Sequence, residues 1–158
     1  MAGEPRGELR EPTGLAFRKV ACTLGIDHGS KRIGLAISDP DGKVALPAGT
    51  LTSRGLERDL AAIRELVEAR QVERIVVGLP LHMDGRSGRQ AEAARAFAER
   101  LASELGLPVD TIDERWTTRE AERALRETGR KGKKKRAVID SVAAALLLRT
   151  YLEREGAG

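Results

Sequence analysis

The chain has 158 residues and carries 28 Lys plus Arg against 24 Asp plus Glu, a formal net charge of +4; that length predicts about one domain with room for a real core. Its single cysteine, Cys22, excludes an internal disulfide, no CxxC or Cys/His cluster offers a zinc site, and the longest apolar run, Val142 to Leu148, is far too short to span a membrane. Residues 1–18 mix Pro, Gly and charge without an apolar signal core and read as a disordered leader, leaving residues 19–158 as one domain of a cytoplasmic protein.

In chain order, Val20 to Asp27 is apolar enough for a buried strand. Asp27-His28-Gly29-Ser30 supplies a turn, and Ile33 to Ser38 resumes as a second strand. Asp39-Pro40-Asp41-Gly42 is a second turn, followed by a third strand from Val44 to Leu51, which Pro47 places at a sheet edge. Three strands joined so tightly make an antiparallel meander. The period then changes: Leu56, Leu60, Ile63 and Val67 fall at helical spacing, predicting an amphipathic helix over about Arg54 to Arg70. Arg74 to Leu79 reads as a central strand covered on both faces. Ala94, Phe97, Leu101 and Leu105 mark a second helix that Gly106 ends, and Pro108 to Ile112 forms a fifth strand. Thr117-x-x-Glu120 fits a capping box for a third helix, and an apolar final helix runs from about Val138 to Glu155. The fold class is α/β: a mixed five-stranded sheet, antiparallel meander plus right-handed parallel crossovers, with helices on both faces.

The net charge is unevenly distributed. Arg130, Lys131, Lys133, Lys134, Lys135 and Arg136 fall within seven residues, and without them 22 basic residues face 24 acidic ones. A mildly acidic body thus bears one basic segment suited to a polyanion such as nucleic acid. The only aromatics, Phe17, Phe97, Trp116 and Tyr151, argue against recognition by rows of base-stacking rings. Flanked by Gly129 and Gly132, the basic segment is expected as a mobile connection leading into Asp140.

Acids at the ends of buried elements are the candidate reactive groups. Asp27 closes the first strand, Asp113 and Glu114 follow the fifth, and Asp140 lies in the first turn of the final helix. With strands one, four and five as neighbours, Asp27, Glu114 and Asp140 converge. Gathered carboxylates repel unless protonated or bound to cations, and hard divalent ions resolve that conflict while leaving positions for phosphate. Two such ions suit phosphodiester hydrolysis. Singly, Asp27 equally fits a turn residue and Asp140 a helix acid favoured by the dipole. Glu114 is preferred over Asp113 because adjacent residues of an extended chain point oppositely.

Four blocks in register, LGIDHGSKRIGLAISD, IVVGLPLHMDG, DERWTT with the following AE, and the late IDSVAA, resemble the YqgF-type family, associated with pre-16S rRNA nucleases and Holliday junction resolvases. The resemblance runs from Val20 to Leu152; His28 and His82 depart from the usual pattern. It implies a ribonuclease H-like nuclease domain with Asp27, Glu114 and Asp140 as a catalytic, metal-binding set for Mg²⁺ or Mn²⁺. In that set Asp27 would share two ions, while Glu114 and Asp140 would each help fix one. Lys31, Arg32, Arg86, Arg89 and the basic segment are the candidate nucleic-acid contacts, His28 a neighbour available for proton transfer, and Thr117 a helix cap. Expected substrates are structured RNA, specifically precursor 16S rRNA at its 5′ end, or branched DNA if the protein resolves junctions, acting as monomer or homodimer. Two non-nuclease readings remain. One is an RNA-binding ribosome-assembly factor that does not cleave. The other is an ATP-binding domain of the actin and sugar-kinase type, disfavoured by a single domain without a later glycine-rich adenosine motif.

Overall fold

The computed structural model describes residues 22–82, 84–114 and 132–157. Expectations for the leader, the helix opened at Thr117, and Arg130 and Lys131 lie outside the described residues. The elements are β1 (Thr23–His28), β2 (Arg32–Ser38), β3 (Ala45–Thr52), α1 (Leu56–Arg70), β4 (Arg74–Leu79), α2 (Arg89–Leu105), β5 (Val109–Asp113) and α3 (Gly132–Ala157). They build one five-stranded sheet in the order β3-β2-β1-β4-β5. β1 pairs antiparallel with β2 and β2 with β3, while β4 runs parallel to both β1 and β5. Pro47 lies on the edge strand, where a missing N–H disturbs the ladder least.

Alternation along each strand sorts side chains between two cores. Leu24 and Ile26, Ile33, Leu35 and Ile37, and Ile75, Val77 and Leu79 pack against Leu60, Ile63 and Val67 of α1 and Phe97, Ala98 and Leu101 of α2. The opposite face contributes Ala36, Val76 and Ile112 to Ala144, Leu147, Leu148 and Tyr151 of α3. On that second face the centre of the sheet is glycine. A Cβ at Gly25 would lie 2.9 Å from the Leu148 Cβ, and one at Gly34 would overlap the Asp140 backbone. The bare backbone lets α3 settle close against the strands, a use of glycine that the strand pattern alone does not reveal.

Local signals set the boundaries. α1 starts after Gly55, whose φ of 104° favours glycine, and buried Asp59 in its first turn reaches back to accept from the Ser53 hydroxyl (2.6 Å) and the Arg54 N–H (2.9 Å). α2 ends as expected at Gly106, in the left-handed region with φ 67°, its N–H returned to the Ala102 carbonyl. α3 corrects the expected boundary: it begins at Gly132, not near Val138. The backbone of Lys133, Lys134, Lys135 and Arg136 is therefore its opening turns rather than a connection, and Asp140 lies two turns inside the helix rather than in its first turn.

Two sets of polar contacts seat α3. Near its start, the Ser141 hydroxyl donates to the Leu35 carbonyl (3.3 Å) and accepts from the Gly49 N–H (3.2 Å), while the Thr50 hydroxyl donates to the Ala137 carbonyl (2.9 Å). Farther along, the Tyr151 hydroxyl donates to Asp110 at β5 and accepts from Arg74 Nη1 at β4 (2.8 Å). Both sets supply partners for the hydroxyls of buried Ser141 and Tyr151, which the packing takes out of water.

Candidate active site

Parallel strands β1, β4 and β5 end on the same side of the sheet, the usual place for a site in an open α/β fold. Asp27 is the penultimate residue of β1 and sits opposite Gly34 in the β1–β2 ladder. It shares the face of Gly25, so its side chain belongs to the α3 side of the sheet. Glu114 follows β5 directly; its N–H donates to the Leu79 carbonyl (3.2 Å), and the residue is buried. Between the two lies β4, and there the chain has Gly78. A Cβ at Gly78 would overlap the Glu114 carboxylate and stand 2.8 Å from Leu147 Cδ2. The glycine leaves the space in which Glu114 crosses β4 to reach Asp27.

The two carboxyls are hydrogen-bonded to each other. Glu114 is pushed far above the ordinary carboxylate range, first by burial and then by the charge of Asp27 and its hydrogen bond to it, with Asp113 adding to the effect. Asp27 is raised as well, chiefly by burial, with the Glu114 hydrogen bond opposing and the charge of Asp140 reinforcing the shift. The upward push on both carboxyls favours one proton shared between them, the usual resolution when like charges lie side by side away from water. Asp140 projects toward the same region from α3, but its Oδ2 is taken by Arg32 Nε at 2.6 Å. No group of three or more Asp, Glu, His or Cys among the described residues is close enough to hold a metal ion. Two acids face each other, and the third is engaged by an arginine.

The remaining candidates divide. Lys31 is exposed at the β1–β2 hairpin tip, which is pinned by the Gly29 N–H on the Arg32 carbonyl (2.9 Å) and the Ser53 N–H on the Lys31 carbonyl (2.9 Å). Arg32 serves Asp140. Arg86 is held in the loop after β4 by Asp84, which accepts from its Nε at 2.6 Å and from its N–H at 2.9 Å. Arg89 is exposed as the first residue of α2. His28 does not face the acids: its ring stacks on Phe97 with centroids 4.6 Å apart, and burial holds its pKa below the ordinary value. Sequence reasoning missed the Arg32–Asp140 pair, the anchoring Ser141 and the buried Asp59. Their partners are distant in the chain or lack a motif, and only the IDS tripeptide carried a hint of Ser141.

Against known families, a model described as "RuvX: Holliday junction resolvase" matches residues 21–154. A protein of Moorella thermoacetica, provisionally named a pre-16S rRNA nuclease, is 50% identical over 133 residues, spanning 84% of this chain and 95% of its own. A Koribacter versatilis protein with the same provisional name is 42% identical over 148 residues, 94% of both chains. Among solved structures, Thermus thermophilus RuvC in complex with a Holliday junction substrate aligns with a TM-score of 0.57 at 18% identity, covering 87% of this chain and 97% of that one. A fowlpox virus resolvase bound to Holliday junction DNA aligns at 0.50 and 10% identity, covering 85% and 98%. At those identities the two structures speak for the fold alone, and that fold is the ribonuclease H-like one.

Proposed function

Because the chain belongs to the RuvX family, a family of enzymes acting on nucleic acid, we propose that it is a metal-dependent endonuclease that hydrolyses phosphodiester bonds in the 5′-end processing of precursor 16S rRNA in the cytoplasm. The observation that carries the chemistry is the carboxyl pair of half-buried Asp27 and buried Glu114, with the charge of Asp140 acting on Asp27. Hydrogen-bonded acids this dry are costly to ionise without a cation, and their all-oxygen donor set suits a hard divalent ion in place of the shared proton. Asp27, Glu114 and Asp140 are the residues that would hold it, with Asp27 central because both other acids act on it. When bound, Mg²⁺ or Mn²⁺ supplies an activated water and charge stabilisation at the phosphate.

The chain's own residues do the rest. Gly78 and Gly34 let Glu114 and the Asp140 backbone approach Asp27. Lys31 at the hairpin tip, Arg86 and Arg89 around the loop after β4, and the basic residues leading into α3 present cations to a phosphate backbone. Their position matters as much as their charge, since Lys133 to Arg136 enter the helix that carries Asp140.

The test replaces Asp27 with Asn and compares cleavage of a precursor 16S rRNA fragment with Mn²⁺ present, alongside binding of the same RNA. Loss of cleavage with binding retained supports the reading; equal cleavage by the variant refutes it. A wild-type protein that binds but never cleaves would instead identify an assembly factor. The family description favours one second reading, resolution of branched DNA at the same site, and cleavage of a four-way junction at equal salt decides between the two substrates.

A further inference from the structure

Arg32 and Asp140 are 108 positions apart in sequence, yet their side chains meet at 2.6 Å with only 32% and 20% of each exposed. Arg32 is the first residue of β2 and follows the hairpin turn beside Asp27; Asp140 comes from α3 on the same side of the sheet. The contact therefore joins the hairpin to the helix on the face of the sheet that carries Asp27. Asp27, Glu114 and Asp140 bring three carboxyls to one side of the sheet, and the charge of Asp140 is felt at Asp27. The pair Asp27 and Glu114 lowers the negative charge with a shared proton, and Asp140 lowers it with a guanidinium. The second device has a consequence for metal loading. An Asp140 oxygen that accepts from Arg32 at 2.6 Å cannot offer the same lone pair to an ion.

We infer that Arg32 is the built-in counter-ion of the site: it occupies the Asp140 carboxylate in the metal-free protein and is displaced when a divalent ion takes that oxygen, which frees its guanidinium at the place where substrate phosphate must lie. The arrangement exchanges one cation for another, so the helix and hairpin are never left with an unpaired acid between them. It also links metal loading to the appearance of a phosphate-binding group. This inference rests on the reading of Asp27, Glu114 and Asp140 as metal ligands and adds a competitor to it.

The experiment measures Mn²⁺ affinity by calorimetry, and free Mn²⁺ by its paramagnetic resonance signal, on the full chain without substrate. Arg32→Met keeps the aliphatic stem, Arg32→Gln keeps a polar end, and Arg32→Lys keeps the charge. Removing a charge-assisted competitor should tighten Mn²⁺ about tenfold in Arg32→Met and Arg32→Gln, with Arg32→Lys much closer to the wild type. Circular dichroism confirms that each variant is folded, and whichever neutral variant folds suffices. Unchanged or weaker Mn²⁺ affinity in the neutral variants overturns the inference, because Arg32 would then be a bystander or would position Asp140 for the ion. Asp27→Asn separates the two levels. If wild type binds Mn²⁺ and Asp27→Asn does not, the site stands and the Arg32 variants decide its counter-ion; if wild type and Asp27→Asn bind alike, the site reading fails first and takes this inference with it.

Discussion

Replacing Gly34 with Ala places one methyl group where the fold has least room for it. The added Cβ would stand 3.1 Å from Asp140 Cα and nearer still to the carbonyl carbon and oxygen of the same residue. Carbon atoms rest at about 3.5–4.0 Å, so α3 must retreat by roughly 1 Å. The obstacle is helix backbone, which cannot rotate aside as a side chain can. The bonds that seat this end of the helix, Ser141 to Leu35 at 3.3 Å, Gly49 to Ser141 at 3.2 Å and Thr50 to Ala137 at 2.9 Å, are stretched beyond useful range by that movement. Losing much of their contribution, at about 1 kcal/mol apiece, alongside the overpacking strain predicts about 3 kcal/mol of destabilisation. For a chain of this size that lowers the melting temperature by roughly 6–12 °C. Thermal and urea unfolding of the metal-free protein, followed by circular dichroism, measures it directly. A variant that melts within about 2 °C of wild type would refute the close seating of α3 on Gly34, and with it the route by which Asp140 reaches the site.

The same methyl at Gly78 should behave differently. There it meets side-chain ends, Leu147 Cδ2 at 2.8 Å and the Glu114 carboxyl carbon at 2.9 Å, which can turn away. Gly78→Ala should cost only about 1 kcal/mol of stability while cutting Mn²⁺-supported RNA cleavage about 100-fold, and cleavage at the wild-type rate would remove Glu114 from the site. Tyr151 is the only tyrosine, so the near-ultraviolet absorbance of its phenolate reads that residue alone; burial and the hydrogen bond to Asp110 should move its midpoint from 10.0 to about 12. The folded pKa is the raised one, so this group's stabilisation is complete below the unfolded value and lost as pH climbs toward 12. An ordinary midpoint in the folded protein would contradict the Tyr151–Asp110 contact. Replacing Lys133, Lys134, Lys135 and Arg136 together with Gln should flatten the log–log salt dependence of RNA binding by about 3 units, and an unchanged slope would show that these charges do not meet phosphate.

Much of the fold was legible because it is written locally. The apolar runs Val20 to Asp27 and Ile33 to Ser38, the turn residues after each, Pro47 at an edge and Gly106 after a helix all report short-range physics, and the observed sheet follows them. That Glu114 would come beside Asp27 was legible from the strand order, which makes the first, fourth and fifth strands neighbours. The start of α3 was not. Lys, Arg and Ala favour helix, yet Gly132 and the dense charge made the run read as a connection, and docking through Thr50 and Ala137 decides otherwise. Nor was the grip of Arg32 on Asp140, which joins residues 108 positions apart. His28 was ambiguous beside Asp27 until the strand's alternation placed it opposite, against Phe97. What local pattern cannot carry is the identity of the partner across the fold.

The edge strand β3 has a consequence for how this molecule behaves in a crowd. Val44, just before it, and Leu46, within it, are each about half exposed (48% and 50%), and no further strand pairs with β3 among the described residues. An open edge beside exposed aliphatics is ordinarily adhesive, inviting a strand from another chain. Here Pro47 has no N–H to offer, and the ladder slips at Leu35/Ala36 directly opposite it. The edge therefore lacks a regular row of donors for a stranger to copy, and this rim of the protein is kept from sticking by an omission rather than by a charge.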